Sequence, residues 1–421
     1  MKTVISKTWL RSLPLLGLLY GCQVLAAEPT LCGPSGAAPA SGTPILVGAI
    51  VGKTGPDDFS SAAAAVRAYF KCVNDNGGIG GRPIEYAIED DKWNPETAAQ
   101  AASRLVKDRK VVALVGSASF IEMSVNARLY EQENVISMAS GCAVRECFEA
   151  RNIATTNQGP LPSNLGAAQW SVRKQGSKRV ACIGLNIPSN GVWSCDAVND
   201  WLKQQGLEGV SVVFDPAAAD FTGVILEAMA ANPDTILLNL PAGAGLGVLK
   251  AAQEQNLRDQ YKWIAATPLY DNKIPAALGD YWDGHLAVQI ELTRLDGQGP
   301  DAKRWRALMS KYGVGDSRAS NRIDTFSQAG FVSANIFVEA LRTLDPNQID
   351  RASVTEALRS VKNYRTDLLC APWTFGSGDK HMANHAGMMV QVKELGYSDL
   401  EGCFEVEIPA IYRQAESGKD A

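Results

Sequence analysis

Ile45-Leu46-Val47-Gly48-Ala49-Ile50-Val51-Gly52-Lys53-Thr54-Gly55-Pro56 opens the stretch that decides the fold of this 421-residue chain. An apolar run stopped by a Gly/Pro cluster predicts a buried strand ending in a turn. Ser60 to Val73 then carries an Ala-rich helical pattern, closed by Asn74-Asp75-Asn76-Gly77-Gly78, whose glycines suit a left-handed helix end. Gly80-Gly81-Arg82-Pro83 turns the chain into a second strand, Ile84 to Glu89. Strand, helix and strand in this order make one β-α-β unit, for which the handedness rule predicts two parallel strands and a right-handed crossover.

The same alternation runs outward from there. Helices are predicted at Pro95 to Val106 and Ile121 to Glu133, with strands at Val111 to Val115 and Val135 to Met138. After Asn152-Ile153-Ala154-Thr155-Thr156 a second series begins with helix Leu161 to Lys174 and strand Arg179 to Gly184. Helix Gly191 to Gln205, strand Val210 to Phe214, helix Phe221 to Ala230 and strand Thr235 to Leu238 follow, then helix Leu246 to Gln255 and strand Lys262 to Ala265. Strands spaced by helices of this length predict parallel sheets. Two series in a chain too long for one core predict an α/β protein of two doubly wound parallel-sheet lobes joined by a hinge.

The first unit carries a resemblance as well as a pattern. Thr54-Gly55-Pro56 ends its first strand, and Asn74-Asp75-Asn76-Gly77-Gly78-Ile79 ends its helix. This wording resembles the leucine/isoleucine/valine-binding family of periplasmic solute receptors, the substrate-binding components of ABC importers with the type I periplasmic binding fold. The resemblance covers nearly the whole chain after its leader. It implies that the chain crosses between lobes three times, with lobe one at 45–156 and 291–368, and lobe two at 157–290 and 369–412. The helix Thr325 to Leu344 and Trp373-Thr374-Phe375-Gly376 fit the family's late elements. It further implies a binder of a small-molecule solute, not an enzyme, working as a monomer with a membrane permease and without a cofactor.

The first 27 residues read as an address. Lys2, Lys7 and Arg11 precede an apolar core, Leu13 to Leu19, and Val24-Leu25-Ala26-Ala27 supplies small residues for cleavage. That is a secretory signal peptide with a core too short to span a membrane, and it points to the periplasm. Leu19-Tyr20-Gly21-Cys22 resembles a lipobox, which leaves a lipidated Cys22 as the alternative to cleavage after Ala26 or Ala27. Glu28 to Pro44, rich in Ala, Gly, Pro and Ser, reads as a flexible leader. Of the nine cysteines, those beyond Cys22 form an even set, consistent with stapling in an oxidising compartment. Sequence alone cannot choose their connectivity. Cys142/Cys147 and Cys182/Cys195 are the short closures, and Cys32–Cys72 and Cys370–Cys403 would then tie down the leader and the C-terminal segment. A net charge of −5 argues against a nucleic-acid groove, which needs a basic face.

Several motifs fail on inspection. Gly48-Ala49-Ile50-Val51-Gly52-Lys53-Thr54 is one residue short of a phosphate loop. Gly243-Ala244-Gly245-Leu246-Gly247 follows a strand but lacks dinucleotide-binding spacing, although a glycine-rich helix start still offers bare N–H groups to an anion. His381 and His385 are four apart without further metal ligands nearby, so a solvated or hydrogen-bonded role is expected. No nucleophile elbow is present: Gly116-Ser117-Ala118-Ser119-Phe120 lacks the second glycine. An exported α/β hydrolase is the rival reading, and a sensory receptor of the same fold is a third.

Ligands of open parallel sheets bind beyond the carboxyl ends of the strands, so residues just after strands are the candidates. Gly116-Ser117-Ala118-Ser119-Phe120 and Ala139-Ser140-Gly141-Cys142-Ala143 offer small residues, hydroxyls and helix N-termini, a plausible seat for a carboxylate. Ordinary turns and caps are the bland alternative. The resemblance implies that these two loops receive an amino acid's carboxylate and ammonium, and that Phe59 walls the pocket. A core-facing Phe59 is the alternative. The family's ammonium-binding glutamate is matched here by Thr267, and its loop tyrosine by Ala242, so leucine itself is in doubt. Asp271, Asp57 or Asp58 could replace the missing acid, and Trp193, beside Asn190, could stack on a ligand or cap Cys195. The expected ligand is therefore a small carboxylate-bearing solute, with aromatic or aliphatic acids and atypical amino acids ahead of leucine.

Overall fold

β1 (Ile45–Val51) pairs in parallel with β2 (Ile84–Asp90) along its whole length, Ile45 against Ile84 and Val51 against Asp90. The β-α-β unit exists as its sequence predicts. Its helix, Ser61–Asp75, ends in Gly77 and Gly78 at φ of 98° and 64°, the left-handed region their missing Cβ allows. The computed structural model describes residues 1, 31–34, 38–215, 217, 220–313, 323–376 and 378–413. Apart from Met1, the signal peptide, Cys22 and the start of the leader lie outside the described residues.

The first sheet is completed by β3 (Ala113–Val115), β4 (Ala118–Ser119), β5 (Ile136–Ala139), β6 (Gly141–Cys142) and β7 (Ile153–Thr155). Its order is β6-β4-β1-β3-β5-β7, with β2 also on β1. Two of these strands lie where the sequence predicts loops. Gly116 (φ 85°) turns the chain after β3, and the next residues rejoin the sheet, with Val51 opposite Ala118 and Ala118 opposite Gly141. The carboxyl edge of this sheet is therefore a second, shorter tier of strands.

The second sheet holds β8 (Arg179–Leu185), β9 (Glu208–Phe214), β10 (Thr235–Asn239), β11 (Lys262–Ala265), β12 (Leu286–Ile290), β13 (Ala386–Lys393) and β14 (Gly396–Glu405). Its order is β14-β13-β12-β11-β10-β8-β9. β8 to β12 are parallel, and the run β10 is buried throughout, as expected of strands covered by helices on both faces. β13 and β14 depart from the all-parallel expectation: they form an antiparallel hairpin on the edge. Glu394 and Leu395 both take positive φ, 50° and 60°, as the tight primed turn of such a hairpin requires.

After β12 the chain returns to the first sheet's helices. Thr325–Arg342 starts with a capping box between Asp324 and Ser327 and packs along Ser61–Asp75. A Cβ on Gly330 would lie 2.2 Å from the Ala62 carbonyl, so glycine permits this close approach. The side chain of Asn384 donates to the carbonyls of Thr156 and Glu291, each at 2.9 Å, binding three passing segments together. The disulfides are Cys32–Cys72, Cys142–Cys147, Cys182–Cys195 and Cys370–Cys403, as their neighbourhoods suggest.

Candidate functional site

A cavity opens between the carboxyl ends of the two sheets, with about 590 Å³ of empty space counting the solvent at its mouth. Residues that follow β6 on one side, and β8, β10 and β11 on the other, line it. That placement is what the carboxyl-end rule predicts for a ligand held by two such sheets.

The first-lobe wall is aromatic. Phe59 stands with its ring centroid 4.9 Å from Phe326 and 5.5 Å from Phe120, and all three line the cavity. Behind them Trp93 stacks on Phe120 at 5.2 Å, its indole N–H fixed by the Asp57 carbonyl at 3.0 Å. Such rings offer a rigid apolar face to a flat or aliphatic body. Gly141, Cys142 and Ala143 continue the wall, so these three expected residues, with Phe59 and Phe120, do meet at one site.

Ser117, Ala118 and Ser119 do not line the cavity. Ser117 Oγ accepts the Ile50 N–H at 3.1 Å inside the sheet. Ser119 Oγ donates to the Asp91 carboxylate and accepts the N–H groups of Ile121 and Glu122 at 2.9 and 3.0 Å, serving the start of the next helix. Ala118 packs under Phe59. Alternation along the short β4 sends Ser119 away from the face its neighbours share, and both serine hydroxyls are spent on groups within the first lobe. Behind Ser119, burial pushes the Glu122 carboxyl up to about 8, with the Tyr130 hydroxyl bonded to it.

The second-lobe wall is built from Asn190, Asn239-Leu240-Pro241 and Ala266-Thr267-Pro268. Its polar groups are mostly committed. Thr267 Oγ1 donates to the Gln289 carbonyl at 3.0 Å and lies 3.1 Å from Ser163 Oγ, so it does not act as a free ligand donor. Asn239 is held between Asn164 (2.7 Å) and Ser194 (2.6 Å). Asn190 reaches across the cleft and donates to the Ala143 carbonyl at 2.5 Å. Ala242 and Asp271 lie in an adjoining recess, which shares Phe59, Phe326 and Pro268 with the cavity and adds Asp57, Asp58 and Lys273. Trp193 sits elsewhere: as the first residue of its helix it packs on Phe148 and Tyr412, lining a separate groove with Trp201.

The floor was not legible from motifs. It comprises Asn157, Gly159, Pro160, Ser163 and Glu291. Gly159 (φ 76°) precedes the helix Pro160–Trp170, and a Cβ there would fall 2.3 Å from the Phe148 ring. Pro160 and Pro162 remove two of the donors a helix start usually presents. Glu291 is 4 % exposed, and its Oε2 accepts the Gln158 N–H at 3.0 Å. Burial outweighs this bond and those from Gly159 and Asn157, and pushes its carboxyl up to about 7. Among the described residues lining the cavity it is the only ionisable side chain. Glu291 directly follows the strand Leu286–Ile290, a run that Gln289 interrupts, so its place after a strand carries no motif of its own. His381 is buried, its ring nitrogens 2.7 Å from the Ile153 carbonyl and 3.0 Å from that of Gly378, the hydrogen-bonded role expected.

Comparison with known proteins agrees with this architecture. The family model for periplasmic binding proteins matches residues 44–398. No curated protein matches the chain. Among solved structures, an ABC-transporter solute binding protein from Rhodopseudomonas palustris HaA2, in complex with p-hydroxybenzoic acid, is similar with a TM-score of 0.73 at 18 % identity, over 87 % of this chain and 98 % of that one. A fatty acid ABC transporter substrate-binding protein from Thermomonospora curvata gives 0.74 at 19 %, over 89 % and 95 %. A leucine binding protein from Thermotoga maritima gives 0.71 at 16 %, over 86 % and 99 %. At these identities the likeness is one of fold.

Proposed function

The chain belongs to the periplasmic binding protein family, and from that premise we propose that it is the periplasmic receptor of an ABC importer for a small carboxylate-bearing solute. The observation that carries the reading is the cavity itself: two sheets present their carboxyl ends to one space, walled on one side by Phe59, Phe120 and Phe326. An apolar body suits those rings. For the carboxylate, the helix Ala242–Glu254 starts beside the cavity without a side-chain cap, because its N-cap residue is Pro241. Its first N–H groups have no partner within the helix and favour negative charge.

Aromatic or aliphatic acids and atypical amino acids rank ahead of leucine. Thr267 replaces the acid that the family resemblance leads one to expect, and its hydroxyl is already bonded. Similar folds that hold p-hydroxybenzoic acid or serve fatty acids are in keeping with this ranking. In this reading the lobes exchange chain near 156/157, 290/291 and 368/369, close on the solute, and deliver it as a monomer to a membrane permease. A thermal-shift screen over amino acids, aromatic acids and short aliphatic acids tests it. A ligand at 100 times its dissociation constant adds about 2.7 kcal/mol of stability, and a panel without any such shift would remove the reading.

A further inference from the structure

Glu291 stands out in a cleft otherwise made of rings, prolines and committed amides. It follows β12 directly, on the segment by which the chain leaves the second lobe. Its backbone carbonyl is pinned by Asn384 at 2.9 Å, so the residue is rigidly placed. The donors that reach its carboxyl, Gln158, Gly159 and Asn157, all come from the neighbouring 157–159 segment. No lysine, arginine or histidine is among the described residues lining the cavity. Of the other buried acids among the described residues, Glu122 is bonded by the Tyr130 hydroxyl, Asp91 by Ser119 and the Trp93 N–H at 2.8 Å, and Asp324 caps the helix Thr325–Arg342; none of them lines the cavity.

We propose that Glu291 is the specificity-determining contact of the cleft: it accepts a hydrogen bond from the solute, which is therefore an acid that also carries a hydroxyl or ammonium donor away from its carboxylate. The proposal rests on the receptor reading above and deepens it. A carboxylate laid against Glu291 meets like charge at a buried site, where the low local dielectric screens it poorly. An acid lacking a donor seals Glu291 into the cleft with the cavity-facing part of its acceptor capacity unmet, and sites built around a buried polar group reject such analogues strongly. The apolar body meets Phe59, Phe120 and Phe326, the carboxylate meets donors elsewhere in the cleft, and the remaining polar group meets Glu291.

Calorimetry at pH 8 with matched acids tests this: benzoate against 4-hydroxybenzoate, 3-phenylpropanoate against 3-(4-hydroxyphenyl)propanoate, and hexanoate against 6-aminohexanoate. The hydroxyl and amine members separate the two kinds of donor. The expected result is that the donor-bearing member of at least one pair binds tenfold or more tightly than its partner. In Glu291→Gln and Glu291→Ala, checked for retained fold by circular dichroism, that preference falls below threefold. Donor-free acids that bind as tightly as their partners overturn the proposal while leaving the receptor reading intact, as does a preference that survives in both variants. A panel in which nothing binds overturns both.

Discussion

Replacing Glu291 with glutamine should change how stability depends on pH, in a direction set by burial. In the folded chain the carboxyl releases its proton near 7, against an ordinary 4.5 in the unfolded chain. Below 4.5 both states are protonated and the residue carries no penalty. Between 4.5 and 7 the unfolded chain loses its proton first, so stability falls as pH rises, and the loss is complete above 7. At about 1.4 kcal/mol per pH unit, that interval corresponds to about 3 kcal/mol. Glutamine has nearly the same shape, keeps an acceptor for the Gln158 N–H and does not titrate. Ligand-free Glu291→Gln should therefore match the parent protein within about 1 kcal/mol at pH 4 and exceed it by about 2 to 4 kcal/mol at pH 8. Urea titrations of both proteins at the two pH values read this difference. Glu122, also pushed up by burial, adds the same slope to both proteins and cancels. A gap between variant and parent that is equal at pH 4 and pH 8 would refute the reasoning, because it would mean that water reaches the carboxyl.

Asn190→Ala removes the hydrogen bond to the Ala143 carbonyl across the cleft. Solute affinity should fall about fivefold, as for the loss of about 1 kcal/mol, and unchanged affinity in calorimetry would contradict a closed cleft as the binding state. Asn384→Ala leaves the Thr156 and Glu291 carbonyls without their shared donor, and should cost about 2 to 4 kcal/mol in urea unfolding; a loss under about 0.5 kcal/mol would mean that the three segments are not held there. With four disulfides, thiol titration of the denatured, unreduced mature protein should find less than one thiol per chain, and two or more would contradict the pairing. Ligand should shift the small-angle scattering profile toward a more compact particle, whereas superimposable profiles would argue against hinge closure.

The repeating framework was legible because long apolar strands and capped helices are local features. Ile45–Val51 needs nothing beyond its own run and the turn after it to be read as a strand. β4 and β6 were not legible, since Ala118–Ser119 and Gly141–Cys142 are strands only because the sheet edge recruits them. β7 hid for a similar reason: Ile153–Thr155 is three residues long and runs into the polar Thr156-Asn157-Gln158. In the site, Phe120 and the Gly141–Ala143 segment followed from their positions after strands, and Phe59 from the family resemblance. The direction of a side chain did not follow, and Ser117 and Ser119 turn into the protein to satisfy backbone N–H groups. Trp193 failed for another reason, since Phe148 and Tyr412, distant in sequence, give its ring a place outside the cleft. Glu291 required knowing that the segment after Ile290 borders the same space as the 157–160 crossover, a tertiary fact with no local motif.

The most direct test of the account is calorimetry of the purified, ligand-stripped protein with the strongest acid from the thermal-shift screen, beside the variant Phe326→Ala. Phe326 is half-buried at the cavity wall, 4.9 Å from Phe59, so its loss should open the aromatic face while leaving the fold in place. The account predicts saturable one-to-one binding, recovery of the solute chemically unchanged, and affinity at least tenfold weaker in a variant that still unfolds cooperatively. Conversion of the solute, or equal affinity in the variant, would contradict a receptor that holds its ligand in this cleft.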